Sequence, residues 1–521
     1  MNETDKPNYQ SPEFQAKTPI WAKVDAVRDG TEAMRAAGKT YLPQFPTEAD
    51  DVYDQRLDTA VLTPFYGETL NGITGTILKK SFKLGEKIPE ALKLDLENID
   101  NAKTHVEVFG QRLLTTGDHY GVAYVRVDMP KAPNQAEPMD ASQSAKLNFR
   151  PFTVLYGASE LADEPIYVNI NGSPTLQQIR FKERGVALEG FGESCTERIR
   201  LWRLPIVKLD DGTYTRAGNG VWELWEDQGE GSGDSHKDDW QMIDNGVFPD
   251  VFTELPVAIF NANPNLENPQ KCDGPVLIDH ANLNIKHWQL ESDHESALHT
   301  CSPTAYTVNI ARNNDNEVIG EASKIPYGNG VRWDLGEGGS AGFAEPQGNG
   351  LEQRANWIEK IEKRLLDMGA GLAMENSEKA GAQTKIEAAL RGGARTSRLT
   401  QIARAWQDCM EQTIVFMGMW KGLWTGKTEQ AEITLGVTEQ DLVMVDLAPL
   451  SAMQEKGQLS LRTFWKIMQR AAVLPDDFNA DDELKEIAKE AKEKMVAMPA
   501  ALTSNFTQSK PQPAMNGGQN V

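Results

Sequence analysis

GPVLIDHANLNIKHWQLESDHESALHT, residues 274–300, and LEQRANWIEKIEKRLLDMGAGL, residues 351–372, are the two stretches on which the fold turns. In the first, a proline stands where a helix tolerates one, at its start. Leu283, Leu290 and Ala297 recur at seven, as do Ile278 and Ile285, which predicts a helix over about Pro275–Leu298. In the second, Ile358, Ile361, Leu365, Met368 and Leu372 step by three and four, a coiled-coil-like seam. Between them Thr304–Ile310 alternates, Asn313-Asn-Asp-Asn316 supplies a turn, and Val331, Trp333 and Leu335 alternate after Gly328-Asn-Gly330. Gly336–Gly350 is glycine-rich. Beyond them Met374–Thr384 breaks the helical pattern. A long helix then resumes over Lys385–Gly422, with Leu399, Ile402, Trp406, Met410, Ile414 and Met417 on one face and a bend predicted at Gly392-Gly393. The chain is organised around Gly274–Gly426.

Upstream the pattern is mixed. Met1–Lys17 is polar and reads as an unstructured arm. Trp21–Ala37 has helical spacing broken near Gly30, and Thr47 with Asp50 resembles a capping box opening a helix. A helix is expected over Ala102–Thr116, followed by a buried strand, Gly121-Val-Ala-Tyr-Val-Arg-Val-Asp128. Pro130–Ala145 reads as a loop. Phe149–Ile259 is β-rich, with strands at Ile199–Leu204 and Val221–Trp225 and a hairpin turn between them at Asp210-Asp-Gly212. Downstream, Leu450–Val473 and Asp481–Met498 read as helices, and the tail from Ser504 as disordered. The fold class is α+β.

Composition narrows the function. The 53 basic against 76 acidic side chains give a net charge of −23, which disfavours gripping DNA along a wide basic face but allows DNA to slide past. Four scattered cysteines without a CxxC pair argue against a disulfide framework or zinc ribbon. The polar first twenty residues carry no signal peptide, and no run of 18 apolar residues predicts a membrane span.

Two motifs imitate chemistry and fail on spacing. His294-Glu-Ser-Ala-Leu-His299 has three residues between Glu and His where a zincin has two, which turns the second histidine about 140° off the shared face. His280, His287 and His294 do share a face, but successive members lie about 10 Å apart, too far for one metal. They read as polar residues at a subunit interface. Gly422-Leu-Trp-Thr-Gly426-Lys-Thr428 imitates a phosphate loop, yet Lys421 stands where glycine is required and the segment follows a helix. Catalytic, metal and cofactor residues are therefore all expected to be absent, and the chain is not expected to be an enzyme.

One charge feature survives. Lys379, Lys385, Arg391, Arg395, Arg398 and Arg404 face only Glu387 in the same segment, and Arg391, Arg395 and Arg398 share one helix face. Ion pairing with acidic neighbours is one reading, and contact with phosphate the other.

The order of these elements resembles that of tailed-phage portal proteins, the head-to-tail connectors. The residues that carry the likeness are Tyr41-Leu-Pro43, Gly121-Val-Ala-Tyr-Val-Arg-Val-Asp-Met-Pro130, Leu255-Pro-Val-Ala-Ile-Phe260, Pro275-Val-Leu-Ile-Asp-His-Ala-Asn-Leu-Asn284 with Ser292-Asp293, and Met368-Gly-Ala-Gly-Leu372. A departure stands at Ala380-Gly-Ala-Gln-Thr384, where the family more often shows a Glu-Thr-Ala-type run. The resemblance implies a portal fold in eight segments. Residues 1–274 would be the N-terminal arm and α/β wing, 275–300 the first stem helix, 301–349 a small β clip, and 350–372 the second stem helix. Residues 373–384 would be the tunnel loop, 385–449 the long wing helix and β link, 450–500 a helical crown, and 501–521 a disordered tail.

It further implies a homo-oligomeric ring, usually of twelve, at a capsid vertex of the virion, assembled in the host cytoplasm. That ring would be the channel for genome packaging and ejection. Double-stranded DNA would pass the tunnel loop at Asn376, Ser377, Glu378, Lys379, Gly381, Gln383 and Thr384. The large terminase, then head-completion, adaptor and tail proteins, would dock on the clip at Arg312, Lys324, Arg332 and Trp333. Major capsid and scaffolding proteins would be further partners, with no membrane. The alternatives are a capsid-associated scaffold or connector ring without a DNA path, and a metal-dependent hydrolase built on His294 or Asp293.

Overall fold

The computed structural model describes residues 6–131, 148–229, 239–301, 305–309, 340–344, 349–372, 385–426, 431–435, 451, 453–470, 474 and 478–497. The fold is mixed α and β, in two compact units, Met1–Leu442 and Val443–Val521.

The first unit opens with α1 (Pro12–Asp29), α2 (Thr31–Ala37), α3 (Asp50–Thr59) and α4 (Phe65–Ile77). α1 corrects the expected unstructured arm. Ser11 caps it by accepting from the Phe14 amide, Pro12 occupies its first turn, and Phe14 is buried. Composition hid this because the anchor is remote: the Ser11 hydroxyl donates to Asp163 Oδ1 at 2.7 Å. The capping box expected at Thr47 does not form, since α3 is preceded by Ala49 and has no side-chain cap.

A short strand β1 (Lys83–Leu84), α5 (Glu90–Leu96) and α6 (Val106–Tyr120) lead to β2 (Val122–Asp128). Gly121 joins α6 to β2 with φ +88, and a Cβ there would lie 2.0 Å from the Gly274 carbonyl oxygen, so only glycine fits. β2 is buried along almost its whole length because it is central. It lies between β3 (Phe152–Gly157) and β11 (Val257–Asn261), antiparallel to both.

The second sheet has seven strands in the order β10-β9-β6-β5-β4-β8-β7. These are β4 (Ile166–Ile170), β5 (Ser173–Glu189), β6 (Gly192–Arg203), β7 (Ile206–Lys208), β8 (Tyr214–Arg216), β9 (Val221–Asp227) and β10 (Trp240–Val247). The expected strands at 199–204 and 221–225 pair directly, Arg203 opposite Val221. The turn at Asp210-Asp-Gly212 closes a smaller hairpin inserted between them, β7 with β8. β5 and β6 stay paired to their tip, Glu189 opposite Gly192, whereas β9 covers β6 only from Arg198. The last six pairs thus form a bare ribbon roughly 20 Å long, ending in exposed Leu188 and Phe191.

Three long helices complete the unit: α7 (Ile278–Cys301), α8 (Asn349–Leu372) and α9 (Lys385–Trp420). Both helices expected from the quoted stretches are present. Between α7 and α8, β12 (Ala305–Asn309) pairs antiparallel with β13 (Ser340–Ala344), placing Tyr306 opposite Phe343. β13 falls inside the glycine-rich stretch Gly336–Gly350. The helical pattern of α9 runs on through Gly392-Gly393. α9 lies along α6 and the three-stranded sheet. Trp406 Nε1 donates to the Gly110 carbonyl at 2.9 Å, and Trp420 Nε1 to the Val127 carbonyl at 3.0 Å. β14 (Ile433–Thr434) pairs with β1.

The second unit contains α10 (Leu461–Arg470) and α11 (Ala480–Ala497). Arg462 pairs with Asp481 at 2.5 Å, and the Trp465 and Phe478 rings meet edge-on at 5.6 Å. Among the described residues no helix is long and apolar enough to cross a membrane.

Candidate functional site: a polar seam between two long helices

α7 buries a band that is apolar on one side and polar on the other. Ala281, Ile285, Trp288 and Ser292 lie along one line of the helix, and His280, Asn284 and His287 along the adjoining one, all buried. The polar line finds partners on α4, on α8 and on Thr63 just before α4, although Nδ1 of His280 and of His287 has no hydrogen-bond partner. The Tyr66 amide donates to Asn284 Oδ1 at 3.1 Å, and Asn284 Nδ2 donates to the Thr63 carbonyl at 3.0 Å. His280 Nε2 sits 3.2 Å from Thr69 Oγ1 and 3.3 Å from the Leu365 carbonyl. Burial pushes the His280 pKa down, so a neutral ring whose Nε2–H is shared between the two oxygens suits it.

Two turns on, His287 stands between two carboxylates. Its Nε2 lies 3.2 Å from Glu362 Oε1 of α8 and its Nδ1 3.4 Å from Glu291 Oε2, one turn along α7. The ring itself is wholly buried, with Phe65 edge-on at 5.3 Å. Burial and the neighbouring Glu362 push Glu291 above the usual carboxylate range, against the opposing pull of His287. Among the described residues these three could hold a metal, each offering one ligand atom within 4.8 Å of the others.

At the far end, Arg56 of α3 is buried and bridges two segments. Its Nε donates to Glu48 Oε1 at 2.7 Å, its Nη1 to Asp293 Oδ1 at 3.1 Å, and its Nη2 to the Pro43 carbonyl at 2.9 Å. The hydrogen bonds from Arg56 hold Glu48 below the usual carboxylate range. Burial raises Asp293 despite Arg56 and Arg354. Arg354 of α8 donates to the Asp293 carbonyl at 2.8 Å. The pairs His280–Leu365, His287–Glu362 and Asp293–Arg354 rise along α7 as they fall along α8, so the two helices run antiparallel. Replacing Arg56 with alanine leaves Glu48 and Asp293 without their cation. A loss of about 3 kcal/mol in unfolding free energy is expected by denaturant titration, the low end for a broken buried pair.

The histidine expectation needs correction. His280 and His287 are buried within their own chain and are not spare polar groups for a neighbouring subunit. Periodicity missed this because it counts polar residues as solvent-facing, and their partners lie some 75 to 220 positions away. His294 is half-buried, and the side chain of His299 lies outside the described residues. The described part of the false phosphate loop, Gly422–Gly426, is the C-terminal cap of α9. Gly422 (φ 68) and Gly426 (φ 94) turn the chain, and Trp424 folds back onto Gly418.

Of the expected basic face, Arg398 is half-buried and donates to Asn263 Oδ1 at 3.3 Å. The side chains of Arg391 and Arg395 lie outside the described residues, as do all of the tunnel-loop residues Asn376, Ser377, Glu378, Lys379, Gly381, Gln383 and Thr384. The clip residues Arg312, Lys324, Arg332 and Trp333 and the tail at 501–521 also lie outside them.

Residues 276–421, spanning α7, α8 and α9, match a family model described as a domain of unknown function (DUF4055), a phage-associated family. No curated protein matches the chain.

Proposed function

We propose that the chain is the subunit of a portal ring at the vertex of a phage capsid. The ring is the channel for genome packaging and ejection, and a docking site for the terminase and for head-completion and tail proteins. The observation that carries the proposal is the antiparallel pair α7 and α8, joined through the β12–β13 hairpin and followed by the long helix α9. That is the stem, clip and wing-helix order of the proteins this chain resembles. The phage-associated match over the same helices supports it.

The surface of α8 supports a ring in particular. α8 turns Ile358, Ile361 and Leu365 inward and leaves Trp357, Leu366 and Met368 exposed. Trp357 and Met368 are three helical turns apart on one flank, and Leu366 lies about 180° from Trp357. A helix with an apolar flank on either side suits head-to-tail contacts with two neighbouring copies. The bare β5–β6 ribbon, with Leu188 and Phe191 at its tip, suits reach onto a neighbour, because an isolated two-stranded hairpin is only marginally stable alone. A chain of −23 makes an acidic ring, whose channel repels DNA weakly and does not trap it. In this reading the chain hydrolyses nothing itself and needs no cofactor.

Negative-stain images of the purified protein are expected to show rings with a central hole. Trp357→Asp with Met368→Asp is expected to give a folded monomer, read by circular dichroism and light scattering. A wild-type chain that stays a compact monomer at high concentration would sink the proposal. Particles that package normally with residues 374–384 deleted would leave the ring but remove the DNA path.

A further inference from the structure

We infer that His287, Glu291 and Glu362 bind one divalent transition-metal ion, with Zn²⁺ the best fit, which ties α7 to α8. His287 and Glu291 sit at i and i+4 on α7, so their side chains reach the same space. Glu362 enters from the facing helix. One ligand atom from each of the three lies within 4.8 Å of the others.

The unpartnered ring nitrogen points the same way. Nδ1 of His287 has no hydrogen-bond partner, on a side chain that is 0% exposed, and it lies 3.4 Å from Glu291 Oε2. Nε2, on the other side of the ring, lies 3.2 Å from Glu362 Oε1. One ion takes only one ring nitrogen, so it sits at Nδ1 with Glu291, and Glu362 turns to reach it from within 4.8 Å. Two carboxylates carry −2, which a divalent ion cancels. The mixed nitrogen and oxygen donors suit zinc, manganese, iron or cobalt better than calcium or magnesium, which favour all-oxygen shells.

The distances need little adjustment. Tetrahedral zinc with bonds of about 2.1 Å holds its ligand atoms roughly 3.4 Å apart, which matches the 3.4 Å from His287 Nδ1 to Glu291 Oε2 and asks Glu362 to close from within 4.8 Å. The imidazole is fixed by burial, whereas the carboxylates of Glu291 and Glu362 are 33% and 38% exposed and free to turn. Thr63 Oγ1, 3.4 Å from Glu291 Oε2, or a water fills the fourth position. Such an ion locks the register of α7 against α8.

The full-length protein, stripped with a chelator, is titrated with ZnCl₂ by calorimetry and with Co²⁺ by absorption. One tight equivalent per chain is expected. Glu362→Gln should weaken it at least tenfold, His287→Ala should abolish the Co²⁺ d–d bands, and Glu352→Gln on the exposed first turn of α8 should change nothing. If His287→Ala fails to fold, the partly exposed Glu362 and Glu291 carry the test as single glutamine variants. Absence of a tight site overturns the inference. So does wild-type affinity in both glutamine variants. The readout is metal uptake by the chain itself, so it stands apart from whether the chain forms rings.

Discussion

Replacing Trp406 with alanine is expected to cost about 5 kcal/mol of unfolding free energy, the upper end for a large-to-small change at a core aromatic. The side chain is fully buried on α9. It packs edge-on against Phe82 at 5.2 Å and so close to α6 that a Cβ added at Gly110 would lie 2.7 Å from its ring. Truncation therefore opens a cavity whose walls are two helices and cannot readily collapse. It also removes the hydrogen bond that Trp406 Nε1 donates to the Gly110 carbonyl at 2.9 Å; that carbonyl lies inside α6 and keeps its helical bonding, so the added loss is that of one hydrogen bond. Against a total stability of roughly 5–15 kcal/mol for a typical domain, that is a large share for one side chain. Denaturant titration of Trp406→Ala beside Trp406→Phe separates the two terms. The phenylalanine variant keeps most of the volume and should lose about 2 kcal/mol or less. Equal losses in both would show that the hydrogen bond, and not the cavity, dominates.

The contrast between α9 and α7 shows how far the sequence reaches. In α9 the buried face from Leu399 to Met417 is apolar but for Thr413, whose hydroxyl donates to the Cys409 carbonyl of the same helix, and a stripe at steps of three and four announces both the helix and its inward side. In α7 the helix is equally legible from Leu283, Leu290, Ile278 and Ile285, but its inward side is not. Half of the buried band is His280, Asn284 and His287, and what makes their burial tolerable is Thr69, Thr63, Leu365 and Glu362, supplied by α8 and the segment around α4. A polar residue at helical spacing carries no mark of whether solvent or a distant partner satisfies it. The same reason hid the start of α1, which depends on Asp163. The seven-stranded sheet was legible as β-rich, yet its pairing was not. The insertion of β7 and β8 between two strands that pair with each other follows from long-range register, which turn chemistry at Gly212 cannot specify.

Replacing Asp118 with asparagine is expected to flatten the fall of stability with rising pH. Asp118 is fully buried near the end of α6, and neither carboxylate oxygen has a hydrogen-bond partner. Burial pushes its pKa from 3.8 up to about 8, and the charge of Arg398 on α9 draws it back only in part. The folded chain therefore holds a proton here that the unfolded chain releases above the ordinary carboxylate pKa. Stability contributed by the neutral form is complete below about pH 4 and is lost as pH rises through 8, at roughly 1.4 kcal/mol per pH unit. At pH 7 the loss is on the order of 4 kcal/mol. The substituted amide cannot ionise, so Asp118→Asn should match the wild type near pH 4 and exceed it increasingly toward pH 8. Denaturation midpoints of both proteins across that range measure the difference directly, free of every group they share. Parallel profiles would mean that Asp118 is ionised and paired with Arg398. In that case Arg398→Ala should destabilise strongly at pH 7, whereas beside a neutral Asp118 it should cost little more than its bond to Asn263.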